Sequence, residues 1–199
     1  MARAAYIRII VEGPGDETIA RRILRFVDET VAFTVDSCGG KPSIRRRIDI
    51  FNRAAAHIPH LVLVDLDQSH SCPAELIRAW LPETNPGLCM RVAVPQIESW
   101  LLADREGMAQ YLSVAKELIP TDPDKLANAK NAMIRLAARS RQRRIRQDMV
   151  APDGGRGGAY TSRIMEFASG QWEVGRAAEN SESLRRSLTA IRKLLHSPA

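Results

Sequence analysis

Leu61-Val62-Leu63-Val64-Asp65-Leu66-Asp67 reads as a buried β-strand that stops abruptly in two carboxylates flanking one leucine. Ligands of an open parallel sheet sit outside the carboxyl ends of its strands, so acids at this position point into the usual site. The same pattern occurs twice more. Tyr6 to Val11 is a predicted strand that runs into Glu12-Gly13-Pro14-Gly15-Asp16-Glu17, and Val92-Ala93-Val94 is followed by Pro95-Gln96-Ile97-Glu98. Three strands that each end in acids predict one divalent-metal site, because like charges grouped in a crevice repel unless a cation is present. Two blander readings stay open. Asp16 has the position of a helix cap, and the acids could form a salt-bridge network with the chain's many arginines.

Between these strands the apolar spacing becomes helical. Ile19, Ile23, Phe26 and Val27 make one stripe over 16–27, and Ile44, Ile48, Phe51 and Ala55 make another over 43–56, with Arg45, Arg46 and Arg47 facing out. A short strand is expected at 31–35, and Ser71-Cys72-Pro73 opens a helix through Trp80. Strand and helix alternate through the first half, which is the pattern of an α/β layer with a mainly parallel sheet. The glycines form neither GxxxxGK[ST] nor GxGxxG, so a nucleotide cradle is weakly supported.

With 199 residues, 45% of them hydrophobic, the chain can bury one substantial core. Its 29 Lys and Arg against 23 Asp and Glu leave a formal charge of +6, which favours polyanionic partners and also serves solubility. Cys38, Cys72 and Cys89 are odd in number and lack a metal-ligand spacing, so reduced thiols in a cytoplasmic protein are expected. The first strand starts within ten residues of Met1, so no signal peptide is expected. No apolar run approaches the length of a membrane span.

Composition shifts near residue 119. The chain divides into an α/β core at 1–118 and a helical extension at 119–199 packed on it. Helices are expected over 124–138, 160–167, 172–178 and 183–195, with a basic Gly/Arg loop at about 139–159. Arg141, Arg143, Arg144, Arg146 and Arg156 in that loop are candidate nucleic-acid contacts, since guanidinium groups bind phosphate bidentately and Gly lets the chain conform. A solvated mobile loop is the alternative.

The three acidic motifs together resemble the Toprim fold of topoisomerases, DnaG-type primases and OLD-type nucleases. Nearer still, the chain resembles a small bacterial Toprim-like family of unknown function, often encoded beside an ABC-type or AAA-type ATPase. The resemblance rests on Ile10-Val11-Glu12-Gly13, Asp65-Leu66-Asp67, Glu98-Ser99-Trp100-Leu101-Leu102-Ala103-Asp104, the Tyr160 segment and Ser181 to Arg186. Glu12 matches the first-motif glutamate, Asp65 and Asp67 the DxD pair, Asp16 the second acid of the OLD-type first motif, and Glu98 its third-motif acid. The resemblance implies a Toprim-like, Rossmann-like fold and Mg²⁺ or Mn²⁺ as cofactor. It also implies hydrolysis of DNA or RNA, with Glu12, Asp65 and Asp67 catalytic and all five acids near metal, in a phage-defence effector working with an ATPase. A non-catalytic, cation-binding partner of an ATPase is the other class. The chain lacks a long ATPase segment and a topoisomerase tyrosine domain. Tyr6, Tyr111 and Tyr160 are expected to pack rather than to act as nucleophiles.

Overall fold

The computed structural model describes residues 6–67 and 70–196. Four strands form one sheet: β1 (Tyr6–Val11), β2 (Ala32–Ser37), β3 (His60–Asp65) and β4 (Leu88–Ala93), in the order β2-β1-β3-β4 with every pairing parallel. Parallel neighbours need crossovers, and α1 (Pro14–Val27), α2 (Lys41–Ala54) and α3 (Pro73–Trp80) supply them. β3 is buried along its length because both of its faces are covered. Leu61 and Leu63 join the core that holds α1, whereas Val62 and Val64 join the core that holds α2 and α3.

α1 and α2 therefore lie on opposite faces, while β1 has β2 on one side and β3 on the other. The chain changes direction across the sheet between β1 and β3. Such a switch point opens a crevice at the carboxyl ends of the two strands. Glu12 follows one of them and Asp65 ends the other.

The second half is helical: α4 (Ile97–Ala103), α5 (Arg105–Leu112), α6 (Ala129–Ala138), α7 (Arg143–Met149), α8 (Tyr160–Gly170), α9 (Val174–Asn180) and α10 (Glu182–His196). These helices share the α1 side of the sheet, and their apolar faces merge with Ile7, Ile9 and Val11 into one core. α10 covers β4, and α8 lies along α1. Trp100 and Trp172 are fully buried at the centre. The Trp172 indole donates to the Trp100 carbonyl at 3.2 Å, and the Trp100 indole to Ser183 Oγ at 2.7 Å. The whole is a Toprim-like α/β arrangement with a large helical C-terminal part.

Local expectations are corrected in the second half. The helix expected from residue 124 begins at Ala129, because Asn128 caps it by accepting the Asn131 N–H at 2.7 Å; Pro123–Lys125 makes only a 3₁₀ turn. Asp124 turns away to accept from Ser181 Oγ and the Ser183 N–H, at 2.7 and 2.8 Å. The expected basic loop contains α7. Ile145 and Met149, four apart, bury one helical face there, a period that the surrounding arginines conceal in the sequence. Trp172 precedes its helix instead of starting it.

All three cysteines are free thiols, and burial pushes Cys89 up to about 11. Among the described residues, no helix is long and apolar enough to cross a membrane.

Candidate functional site

Extended backbone carries β1 and β3 to the same end of the sheet, and there Glu12 Oε1 accepts the Asp65 N–H at 3.0 Å. The side chain of Asp65 points onward. Its Oδ1 accepts the Ile97 N–H at 2.8 Å, at the amino end of α4, where the backbone dipoles favour an anion. Asp67 stands just beyond in the left-handed region, at φ 52°. Its Oδ1 accepts from Gln96 Nε2 at 3.2 Å and its Oδ2 meets Lys41 Nζ at 3.3 Å. Asp16, in the first turn of α1, accepts the Gly13 N–H at 2.9 Å. It is therefore the helix cap that its position suggested, and it also feels the charge of Glu12 and Glu98.

Glu98 is the most enclosed of these acids, at 5% exposure. Tyr160 donates to its Oε1 at 3.2 Å, and Lys130 Nζ lies 3.6 Å from the same atom. Among the described residues, Oε2 is buried without a hydrogen-bond partner.

Electrostatics tie the group together. Burial, then the charges of Glu98, Glu12, Asp16 and Asp67, hold Asp65 well above the ordinary carboxylate range. Burial, with repulsion from Glu12 and Glu98, pushes Asp16 up to about 6 despite its bond to Gly13. Burial raises Glu12 and Asp67 adds to the rise, while the Asp65 N–H and Lys41 oppose it. The five acids predicted from sequence thus stand near one end of the sheet and act on one another electrostatically. Among the described residues, no three His, Cys, Asp or Glu side chains are gathered tightly enough to hold a metal ion as they stand. The donor set is all oxygen, which suits a hard divalent cation, and Glu98 Oε2 is an acceptor left with nothing to accept from.

Four participants were not predicted, Lys130 beside Glu98 being one. Lys41 Nζ donates to the carbonyls of Asp65 and Leu66 at 2.6 and 3.1 Å as well as reaching Asp67. Its signal was available: Gly39-Gly40-Lys41 follows β2 as the acids follow their strands. Gly39 and Gly40, at φ 71° and 104°, make the turn that starts α2 at Lys41, and other residues rarely adopt those angles. Gln96 joins two elements, donating to Asp67 and accepting the Lys130 N–H at 3.1 Å. Tyr160 marked one segment of the family resemblance, but its side chain was expected only to pack. Burial and the Glu98 carboxylate push its hydroxyl far upward, so it remains a proton donor.

The arginines divide. Arg156 is exposed, yet close enough to act electrostatically on Tyr160. Arg141, Arg143 and Arg144 are exposed before and at the start of α7, and Arg144 lies 3.7 Å from Asp148. Arg146 instead folds back to donate to the Ser140 carbonyl.

No family model matches the sequence, and no curated protein matches it. Solved structures do. Over 96% of this chain and 98% of the other, the fold is similar to that of the C-terminal region of the Burkholderia pseudomallei OLD protein, with a TM-score of 0.52 at 18% identity. The C-terminal region of the Xanthomonas campestris pv. campestris OLD protein aligns over 96% and 94% of the two chains, with a TM-score of 0.46 at 16% identity. The first likeness is one of fold, and it extends through the C-terminal helices as well as the sheet.

Proposed function

We propose that this protein is a Mg²⁺- or Mn²⁺-dependent nuclease that hydrolyses phosphodiester bonds in DNA or RNA. The reading is carried by the position of Glu12 and Asp65 across the β1–β3 switch point, with Glu98 acting in charge on Asp65 and holding an unpartnered oxygen. The fold shared with an OLD C-terminal region and the resemblance to OLD-type Toprim nucleases support the same class. When bound, the cation supplies an activated water and neutralises charge on the leaving oxygen. Asp65 and Asp67 hold it, Glu12 holds it or moves a proton, and Asp16 and Glu98 serve a second ion or its water shell. The side chains must draw inward to do so, and burial first, then mutual repulsion, is what raises Asp65 and Asp16 and what a bound ion would offset. Lys41 and Lys130 balance part of the charge meanwhile. Arg141, Arg143, Arg144 and Arg156 offer phosphate contacts.

The test is cleavage of plasmid DNA and of RNA with and without Mg²⁺, by wild type and by Asp65→Ala. Equal cleavage by both proteins removes the assignment.

A second reading is a cation-binding regulatory partner of an ABC-type or AAA-type ATPase, as in a phage-defence pair. It is favoured by the ion pairs that already engage Asp67 and Glu98. Light scattering of the protein with the neighbouring ATPase separates the two: unaided cleavage by a protein that ignores the ATPase excludes this reading.

A further inference from the structure

Resting on the reading just given, we infer that Tyr160 is a positioning residue that holds Glu98 by one oxygen and thereby aims the other at the cation. Glu98 lies in the first turn of α4, and its two oxygens have different surroundings. Oε1 faces Tyr160 and Lys130, both from the C-terminal helices, at 3.2 and 3.6 Å. Oε2 is buried with no partner. A buried carboxylate oxygen without a hydrogen bond is costly, and a bound cation is the partner that removes the cost where the surrounding groups are acids.

The hydroxyl of Tyr160 is held as firmly as the acid it touches. The residue is 3% exposed and opens α8. The turn before it is closed by the Ala159 N–H to the Asp148 carbonyl at 3.0 Å and by the Gly157 N–H to the Met149 carbonyl at 2.9 Å. α8 then runs along α1, where Thr161 Cγ2 would lie 3.6 Å from a side chain at Gly15, the residue before Asp16. The second half of the chain thus places a fixed donor inside the acid cluster built by the first half. Partners of metal ligands act in this way, by fixing which lone pair the ligand presents.

Tyr111 provides a matched comparison. Its hydroxyl also bonds to α8, donating to the Arg163 carbonyl at 2.9 Å and lying 3.1 Å from Glu166, but it does not touch Glu98. Replacing either tyrosine by Phe removes one hydroxyl that joins α8 to a neighbouring helix.

The experiment is Mn²⁺ titration of the full chain, followed by calorimetry, for wild type, Tyr160→Phe, Tyr111→Phe, Glu98→Gln and the Tyr160→Phe/Glu98→Gln double variant. Tyr160→Phe is expected to weaken Mn²⁺ binding by about tenfold or more, the usual loss when a partner of a metal ligand is removed. Tyr111→Phe should bind as wild type does. In the Glu98→Gln background the Tyr160 substitution should cost little more, since a residue acting through Glu98 has nothing left to act on. Unchanged Mn²⁺ affinity in Tyr160→Phe, or losses that simply add in the double variant, overturn the inference and leave the proposed function standing. Wild type that shows no saturable Mn²⁺ binding overturns the proposed function, and the inference with it.

Discussion

Glu12 and Asp65 are joined by a side chain to backbone hydrogen bond of 3.0 Å that crosses from the end of β1 to the end of β3. The bond makes Glu12 both a structural acceptor and a repelled anion, and two substitutions separate those roles. Glu12→Gln keeps an acceptor and drops the charge, so metal-free stability at pH 7 should hold or rise. Glu12→Ala strands the Asp65 N–H and should cost about 1–3 kcal/mol. Both should lose stabilisation by Mg²⁺, which for wild type is about 2.7 kcal/mol at a hundredfold excess over the dissociation constant. Urea denaturation with and without Mg²⁺ measures all three quantities. A Gln variant as unstable as the Ala variant would refute the separation.

The cluster also sets a pH dependence. Asp16 is raised from 3.8 to about 6 in the folded chain, and Asp65 is raised too. Between those two values for Asp16 the native state holds more protons, so the stability this group contributes is complete below about pH 3.8. It is lost as pH climbs through about 6. The stability advantage of Asp16→Asn over wild type, in metal-free protein, should therefore grow from pH 4 to pH 7. The asparagine can still accept from Gly13. A difference that does not change with pH contradicts this linkage.

Gly157 allows the chain to reach Tyr160. A Cβ there would lie 2.4 Å from the Asp148 carbonyl oxygen and 2.7 Å from the Val150 nitrogen, both backbone atoms that cannot swing aside. Gly157→Ala should destabilise by roughly 1–3 kcal/mol, the usual cost of overpacking. Gly158→Ala, whose Cβ would meet nothing within 4 Å, should be nearly silent. Thermal melts of the pair decide it.

The arginines should behave in two ways. Replacing Arg141, Arg143, Arg144 and Arg156 together by Ala should weaken binding to many nucleic-acid sequences alike. It should also flatten the salt slope by up to about one unit for each phosphate no longer neutralised, with little change in thermal stability. Arg146→Ala should do the opposite, because it deprives the Ser140 carbonyl of a donor. Fluorescence anisotropy over a salt series, with Ca²⁺ and Asp65→Ala protein to prevent cleavage, reads the first effect. An unchanged slope in the fourfold variant would make that surface a solvated one.

What could be read from the chain follows its local periods. The run 61–67 announces a strand buried on both faces, and the β3 residues divide between the two cores as that implies. The acids were legible because their position at strand ends is itself a local fact. Lys130 and Tyr160 were not, since each meets Glu98 only after distant helices have packed; Tyr160 is 62 residues away. The same limit hid α7, whose two apolar residues are outnumbered by arginines. It also misplaced the start of α6, where Asn128 accepts the Asn131 N–H.

The contact between Glu98 and Tyr160 also fixes an order of events during synthesis. A chain that has left the ribosome only as far as α4 already carries Glu12, Asp16, Asp65, Asp67 and Glu98, while Tyr160, the donor to Glu98 Oε1, is still to be made. The enclosure of Glu98 is therefore completed only when the helix that begins at Tyr160 arrives and docks. On the proposed function, Mg²⁺ in the surrounding solution would meet these acids before that helix encloses Glu98.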